Sequence, residues 1–307
     1  MHRRGLLRFA YAAIACAAAF GRPSFADGQS VDKGVVLESQ EFKSKVLNRP
    51  VLYSIYLPPG YEANPTHRYP VVYLLHGYPG EPHDSETDWV QQGAADRLTD
   101  EAIASGRVPA VILVMPDAKT TLYSNSFDGS VRYEDMFVEE LIPFIDRAYR
   151  TRPQRLFRGI AGLSMGGYGA MMLAMRHPDL FSACAAFSPA IRSEEEMKNT
   201  PEAQYAQFWA PLYGPDQKGE ARLNETWRTH SPLGLAKTLP VGQLGRTSWW
   251  IDMGDDDFLS QGGDAIHTVL RQRQVRHEYR VRDGAHEWVY WRTGLIPALE
   301  FLAKSYR

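Results

Sequence analysis

The chain has 307 residues, of which 44% are hydrophobic and 12% aromatic, and its formal net charge is −2. That length and apolar content suit one large globular domain with a well-buried core. The near-neutral charge, with no basic run beyond the N-terminus, excludes a nucleic-acid footprint, and no internal repeat or low-complexity tract is evident.

The first residues read as an export signal rather than as part of the fold. His2, Arg3, Arg4 and Arg8 make a positive stretch, and Phe9 to Phe20 is an apolar run too short to span a bilayer. Ser24-Phe25-Ala26 offers small residues where a signal peptidase reads, so residues 1–26 are expected to be cleaved and 27–307 to form the folded domain. Cleavage would remove four arginines and no acid, moving the net charge from −2 to about −6. The expected location is therefore secreted or periplasmic, with no stable membrane span after cleavage. An uncleaved anchor, or a lipoprotein built on Cys16, is the lesser alternative. Cys184 would then be the only cysteine of the mature chain, in an apolar strand-like run that suits a small core residue.

Val35 to Phe42 and Val51 to Leu57 predict an opening hairpin. Val71 to Leu75 is a continuous apolar run ending in His76-Gly77, and Val111 to Met115 is another. Residues 132–149 predict an amphipathic helix, with Met136, Phe137, Leu141, Phe144 and Ile145 at helical spacing. A strand over Leu156 to Ala161, a helix from Tyr168 to Met175, and strands near 182–187 and Ser248 to Met253 follow. Helices are expected at 260–274 and 287–303, with a strand at Tyr279 to Val281 between them. Continuous apolar strands alternating with helices imply a mostly parallel sheet covered on both faces, an α/β class. Residues 190–246 break this rhythm with five prolines, Trp209 and Trp227. They read as a helical insertion, either a cap over the sheet's C-terminal edge or a peripheral excursion.

Gly162-Leu163-Ser164-Met165-Gly166-Gly167 sits between an apolar run and a helical pattern. In that setting the glycines allow a sharp turn that exposes the serine hydroxyl above the sheet, which makes Ser164 the expected nucleophile. Eight strands in this order, with such a turn, fit the α/β-hydrolase plan. A serine hydroxyl needs a histidine base and an acid to orient it, and in this fold both come later in the chain, acid first. Five histidines follow Ser164, at 177, 230, 267, 277 and 286. Only His286 stands in a loop after a strand and before the last helix, where the base belongs. The acid should lie after the strand ending near Met253. Asp255, Asp256 and Asp257 all compete there on spacing alone, while Asp252 falls within the strand. The developing oxyanion needs preorganised donors: the backbone N–H of Met165 and one from Gly77 or Tyr78. His76 is better suited to shaping that loop than to acting as a base.

Tyr73-Leu74-Leu75-His76-Gly77, Trp89, the serine motif, Gly254 to Phe258, and Gly284-Ala285-His286-Glu287-Trp288 with Trp291 together resemble the esterase D family. That group includes feruloyl and acetyl xylan esterases, S-formylglutathione hydrolase, enterochelin-type esterases and mycolyltransferases. The resemblance runs from about Val35 to the C-terminus and implies Asp257 as the acid, with Asp256 in reserve. It also implies a carboxylic ester hydrolase acting through a Ser-His-Asp triad and an acyl-enzyme. The expected substrate is a small-molecule or glycan ester, with Trp288, Trp89 and Tyr123 at its binding site. No metal or organic cofactor is called for. A sugar acyltransferase and a siderophore trilactone esterase are the alternative activities, and the oligomeric state is left open.

Overall fold

In this computed structural model the described residues are 33–79 and 85–306. The expected export signal at 1–26 lies outside them. Eight strands form one sheet: β1 (Val35–Ser44), β2 (Arg49–Leu57), β3 (Val71–Leu75), β4 (Ile112–Pro116), β5 (Arg158–Leu163), β6 (Ala183–Phe187), β7 (Ser248–Gly254) and β8 (His277–Arg282). Their spatial order is β1-β2-β4-β3-β5-β6-β7-β8. The hairpin pairs antiparallel, β2 pairs antiparallel with β4, and every later pairing is parallel.

The strand sequences explain this arrangement. Every residue of β3, β4, β5 and β6 is buried, as continuous apolar runs require when helices cover both faces. Two apolar clusters result, one on each face. One packs the helix Met165–Arg176 against the sheet and the other packs Trp288–Ala303. The edge strand β8 carries His277, Glu278, Arg280 and Arg282, none of them fully buried, which keeps an unpaired edge wet.

Two expectations need adjustment. Residues 132–149 do not form one regular helix, because Met136–Leu141 is a π-turn leading into Ile142–Ala148. Pro143 has no N–H to return to the preceding turn, and the widened turn accommodates that loss. The strand before Ser164 begins later than its apolar run suggests, since Arg155–Phe157 is a 3₁₀ turn. The segment between β6 and β7 is helical, with six short α-helices and one 3₁₀ turn from Glu194 to Leu244.

The topology gathers one group of loops. Gly77 follows β3, Ser164 follows β5, Ser188 follows β6, Asp257 follows β7 and His286 follows β8. All five stand beyond the carboxyl ends of parallel strands, where α/β sheets place their ligands. The turn after β5 is tight enough that a Cβ on Gly166 would lie 2.3 Å from the Leu75 carbonyl oxygen. Gly166→Ala must therefore push two backbone segments apart. We expect a loss of about 1–3 kcal/mol of stability, read as a Tm several degrees lower by calorimetry. An unchanged Tm would show that the turn is looser than its contacts imply.

Candidate active site

Ser164 caps the helix Met165–Arg176 with φ 53° and ψ −117°, a conformation that L-residues avoid. Backbone bonds hold it there: its N–H donates to the Phe187 carbonyl at 2.9 Å, and its own carbonyl accepts from Ala190 N–H at 2.9 Å. The hydroxyl is thereby turned toward His286, whose Nε2 lies 2.9 Å from Ser164 Oγ. On the other side of the ring, His286 Nδ1 sits 2.9 Å from Asp257 Oδ2 and 3.1 Å from Oδ1. A carboxylate can only accept, so the ring proton is on Nδ1 and Nε2 is free to accept from the serine.

Of the three competing aspartates only Asp257 is brought to the histidine. Asp255 instead ties its loop to the one that carries His286, accepting from Gly284 N–H at 2.9 Å, and Asp256 is exposed. Asp252 is fully buried, bonded to Arg282 and, at 2.9 Å, to the Tyr290 hydroxyl. Burial alone would raise the Asp257 carboxyl. Hydrogen bonds from His286, Ser188 and the Leu259 N–H outweigh burial and hold it below the ordinary carboxylate range.

Ser188 was not singled out from the sequence. It follows an apolar strand directly, a position where α/β sheets collect functional groups, and that placement was the available signal. Trp291 Nε1 donates to its Oγ at 3.0 Å. An indole N–H can only donate, so the Ser188 hydroxyl keeps its own proton for Asp257. Donations from Trp291 through Ser188 and from Ser164 through His286 thus converge on the Asp257 carboxylate. Trp291, expected only to pack, also meets the His286 ring edge-on at 4.9 Å.

The oxyanion donors expected at Met165 and at Gly77 or Tyr78 border the same cleft as Ser164. A Cβ on Gly77 would stand 3.6 Å from Ser164 Cβ, so this loop runs beside the serine. Met165 opens its helix, and an opening N–H has no carbonyl one turn back to bond. His76 shapes the facing loop. Its Nε2 accepts from Ala118 N–H at 2.9 Å and its Nδ1 donates to the Gly77 carbonyl at 2.6 Å. The Gly77–Tyr78 peptide is thereby oriented, with the Tyr78 N–H on the side opposite the held carbonyl.

The cleft has a volume of about 680 Å³. Trp288 lines it, as do Tyr78, Phe208, Trp209 and Phe258. Trp89 and Tyr123, expected at the substrate, do not. Trp89 is fully buried, donating to the Leu75 carbonyl at 2.9 Å and backing the Trp288 ring at 5.3 Å. Tyr123 is also fully buried, its hydroxyl donating to the His76 carbonyl at 3.1 Å. Trp89 thus backs a residue that faces the cleft, and Tyr123 anchors the start of the Gly77 loop. Gln204, Phe208 and Trp209 bring the helical segment between β6 and β7 to the cleft wall. No group of three metal-ligating side chains occurs among the described residues.

The family model described as "Putative esterase" matches residues 44–302. The chain belongs to this esterase family. An endo-1,4-beta-xylanase/feruloyl esterase of Xylanibacter ruminicola is 34% identical over 158 residues, half of this chain but only 21% of that longer protein. An acetyl esterase of Caldicellulosiruptor saccharolyticus is 23% identical over 234 residues, 76% of this chain and 83% of that one. The solved structure of a ferulic acid esterase aligns with TM-score 0.76 at 30% identity, over 90% of this chain and 99% of its own.

Two measurements probe the supporting groups. Ser188→Ala strands the Trp291 N–H and removes one donor from Asp257. We expect kcat on an ester substrate to fall about tenfold with KM within about twofold. The more basic carboxylate should also move the acid limb of the pH–rate profile to higher pH. An unmoved limb would leave Ser188 a packing residue. His76 is pushed down to about 4, chiefly by burial, from an ordinary value of 6.5. The unfolded chain therefore binds a proton in that window that the folded one refuses, so stability falls as pH drops from about 6.5 toward 4. His76→Gln should show a shallower decline of Tm across the window.

Proposed function

We propose that the chain is a secreted serine esterase that hydrolyses carbohydrate-linked acyl esters of the feruloyl or acetyl type. The observation that carries this reading is the hydrogen-bonded line from Asp257 through His286 to Ser164, ending in a cleft with aromatic walls. The names of the relatives, a feruloyl esterase and an acetyl esterase, support the acyl class.

In the proposed reaction Ser164 Oγ attacks the ester carbonyl carbon while His286 Nε2 takes the hydroxyl proton. The carbonyl electrons move onto oxygen, where the N–H groups of Met165 and Tyr78 receive the charge, with Gly77 as the other candidate. Asp257 stabilises the imidazolium and holds its orientation. The intermediate collapses, the bond to the alcohol oxygen breaks, and His286 returns the proton to the departing alcohol. Water, deprotonated by the same nitrogen, then attacks the acyl-serine and releases the acid. Residues 190–246 serve as a cap over the cleft, and residues 1–26 as the cleaved export signal.

The test is hydrolysis of p-nitrophenyl acetate, methyl ferulate and acetylated xylan by the mature protein, beside Ser164→Ala. The wild type should cleave at least one natural-type ester, and the variant should lose at least about a thousandfold in kcat. A fluorophosphonate probe should label the wild type at Ser164 and spare the variant. Undiminished turnover by Ser164→Ala would sink the mechanism. Transfer of the acyl group to an added glycan in preference to water would replace hydrolysis with acyl transfer.

A further inference from the structure

Phe258 is the most exposed large apolar side chain among the described residues, with 64% of its surface in water. A single exposed phenylalanine is unremarkable on an ordinary surface. This one borders the cleft, and its ring lies 4.6 Å from the His286 imidazole, tilted by 52°. Its placement follows from its neighbours. Asp257 turns inward to His286, and Leu259 turns inward while its N–H bonds the Asp257 carboxylate at 2.8 Å. The residue between them is left facing out. The imidazole thus meets two aromatic rings, the exposed Phe258 and the buried Trp291.

We propose that Phe258 is the platform on which a neutral sugar ring of the leaving alcohol stacks. This rests on the esterase reading above. There, His286 must hand its proton to the departing oxygen, so the alcohol has to sit beside the imidazole. An alcohol seated there lies beside the Phe258 ring, which borders the same cleft. The Tyr78 and Phe208 rings, packed together at 5.0 Å, build a separate wall of the cleft. A pyranose or furanose has a face of C–H groups that covers an aromatic ring and an edge of hydroxyls that need acceptors. Glu287, exposed at the cleft beside His286, offers a carboxylate for those hydroxyls. Arg192, the cation in the cleft lining, is paired with Glu196 at 3.1 Å, so the carboxylate of Glu287 disfavours an anionic alcohol beside His286 and favours a neutral sugar.

The experiment compares two esters of one acid, ferulate or acetate, whichever the wild type turns over: the methyl ester and the xylo-oligosaccharide ester. Wild type, Phe258→Ala and Phe258→Trp are measured on both. We expect Phe258→Ala to lose about threefold to tenfold in kcat/KM on the oligosaccharide ester, mostly in KM. The ratio of kcat/KM on the oligosaccharide ester to that on the methyl ester should fall at least about threefold, and Phe258→Trp should retain that ratio. Equal losses on both esters would assign Phe258 to packing on the imidazole and overturn the platform. No loss on the oligosaccharide ester would overturn it as well. A wild type that cleaves neither ester would defeat the esterase reading itself, an outcome distinct from the other two.

Discussion

Everything at this site depends on holding one serine in a backbone conformation it would not choose. Ser164 has φ 53°, and the surrounding chain leaves it no alternative. Glycines at 162 and 166 let the turn close until a Cβ on Gly162 would stand 2.4 Å from the Gly166 carbonyl. Strand β6 then clamps the turn from the side, through the bonds between Ser164 and the residues that end and follow it. A strained residue persists only where its neighbours over-determine it. Here the neighbours are the central strands of the sheet, the most deeply buried part of the molecule. The free energy of the core is thus coupled to the aim of a single hydroxyl.

The second organising feature is the hydrogen-bond line behind that hydroxyl, in which donations converge on one acceptor. The Trp291 indole can only donate and the Asp257 carboxylate can only accept, which fixes the direction of Ser188 on one side of Asp257 and of His286 on the other. No member can flip without stranding a neighbour in a buried setting, where an unmet donor or acceptor is costly. His76 applies the same logic to the opposite loop: its two partners fix its tautomer, and its burial keeps it neutral.

Much of this was legible in the sequence, and the exceptions have identifiable causes. The central strands β3, β4, β5 and β6 announce themselves as apolar runs, since helices cover both faces of the sheet there, whereas the edge strand β8 shows only Tyr279 and Val281 among polar residues. Ser164 and His286 stand out by motif and by position relative to strands. Asp257 does not, because three consecutive acids in one turn differ only in the direction each side chain takes, which the local pattern does not encode. The resemblance to a known family was needed to choose among them. Trp89 and Tyr123 were read as substrate contacts because aromatic residues near loops look alike in a sequence. Their burial depends on packing between distant elements: Trp89 bonds to the end of β3 and backs Trp288. Ser188 escaped notice because a lone serine after a strand carries no motif, and its significance lies wholly in meeting Trp291 and Asp257 across the fold.

The wall of the cleft contributed by Gln204, Phe208 and Trp209 belongs to a chain segment that departs from the sheet after β6 and rejoins it at β7. The serine, histidine and aspartate all lie outside that segment. One wall of the cleft is therefore supplied by a stretch of the polypeptide that holds none of those three residues. Phe208, half-buried and facing the cleft, packs on the Tyr78 ring, so the segment reaches the loop after β3 as well. A fold arranged in this way can reshape one wall by changes between residues 200 and 210, while the rim at Phe258 and Trp288 stays tied to the loops that carry Asp257 and His286.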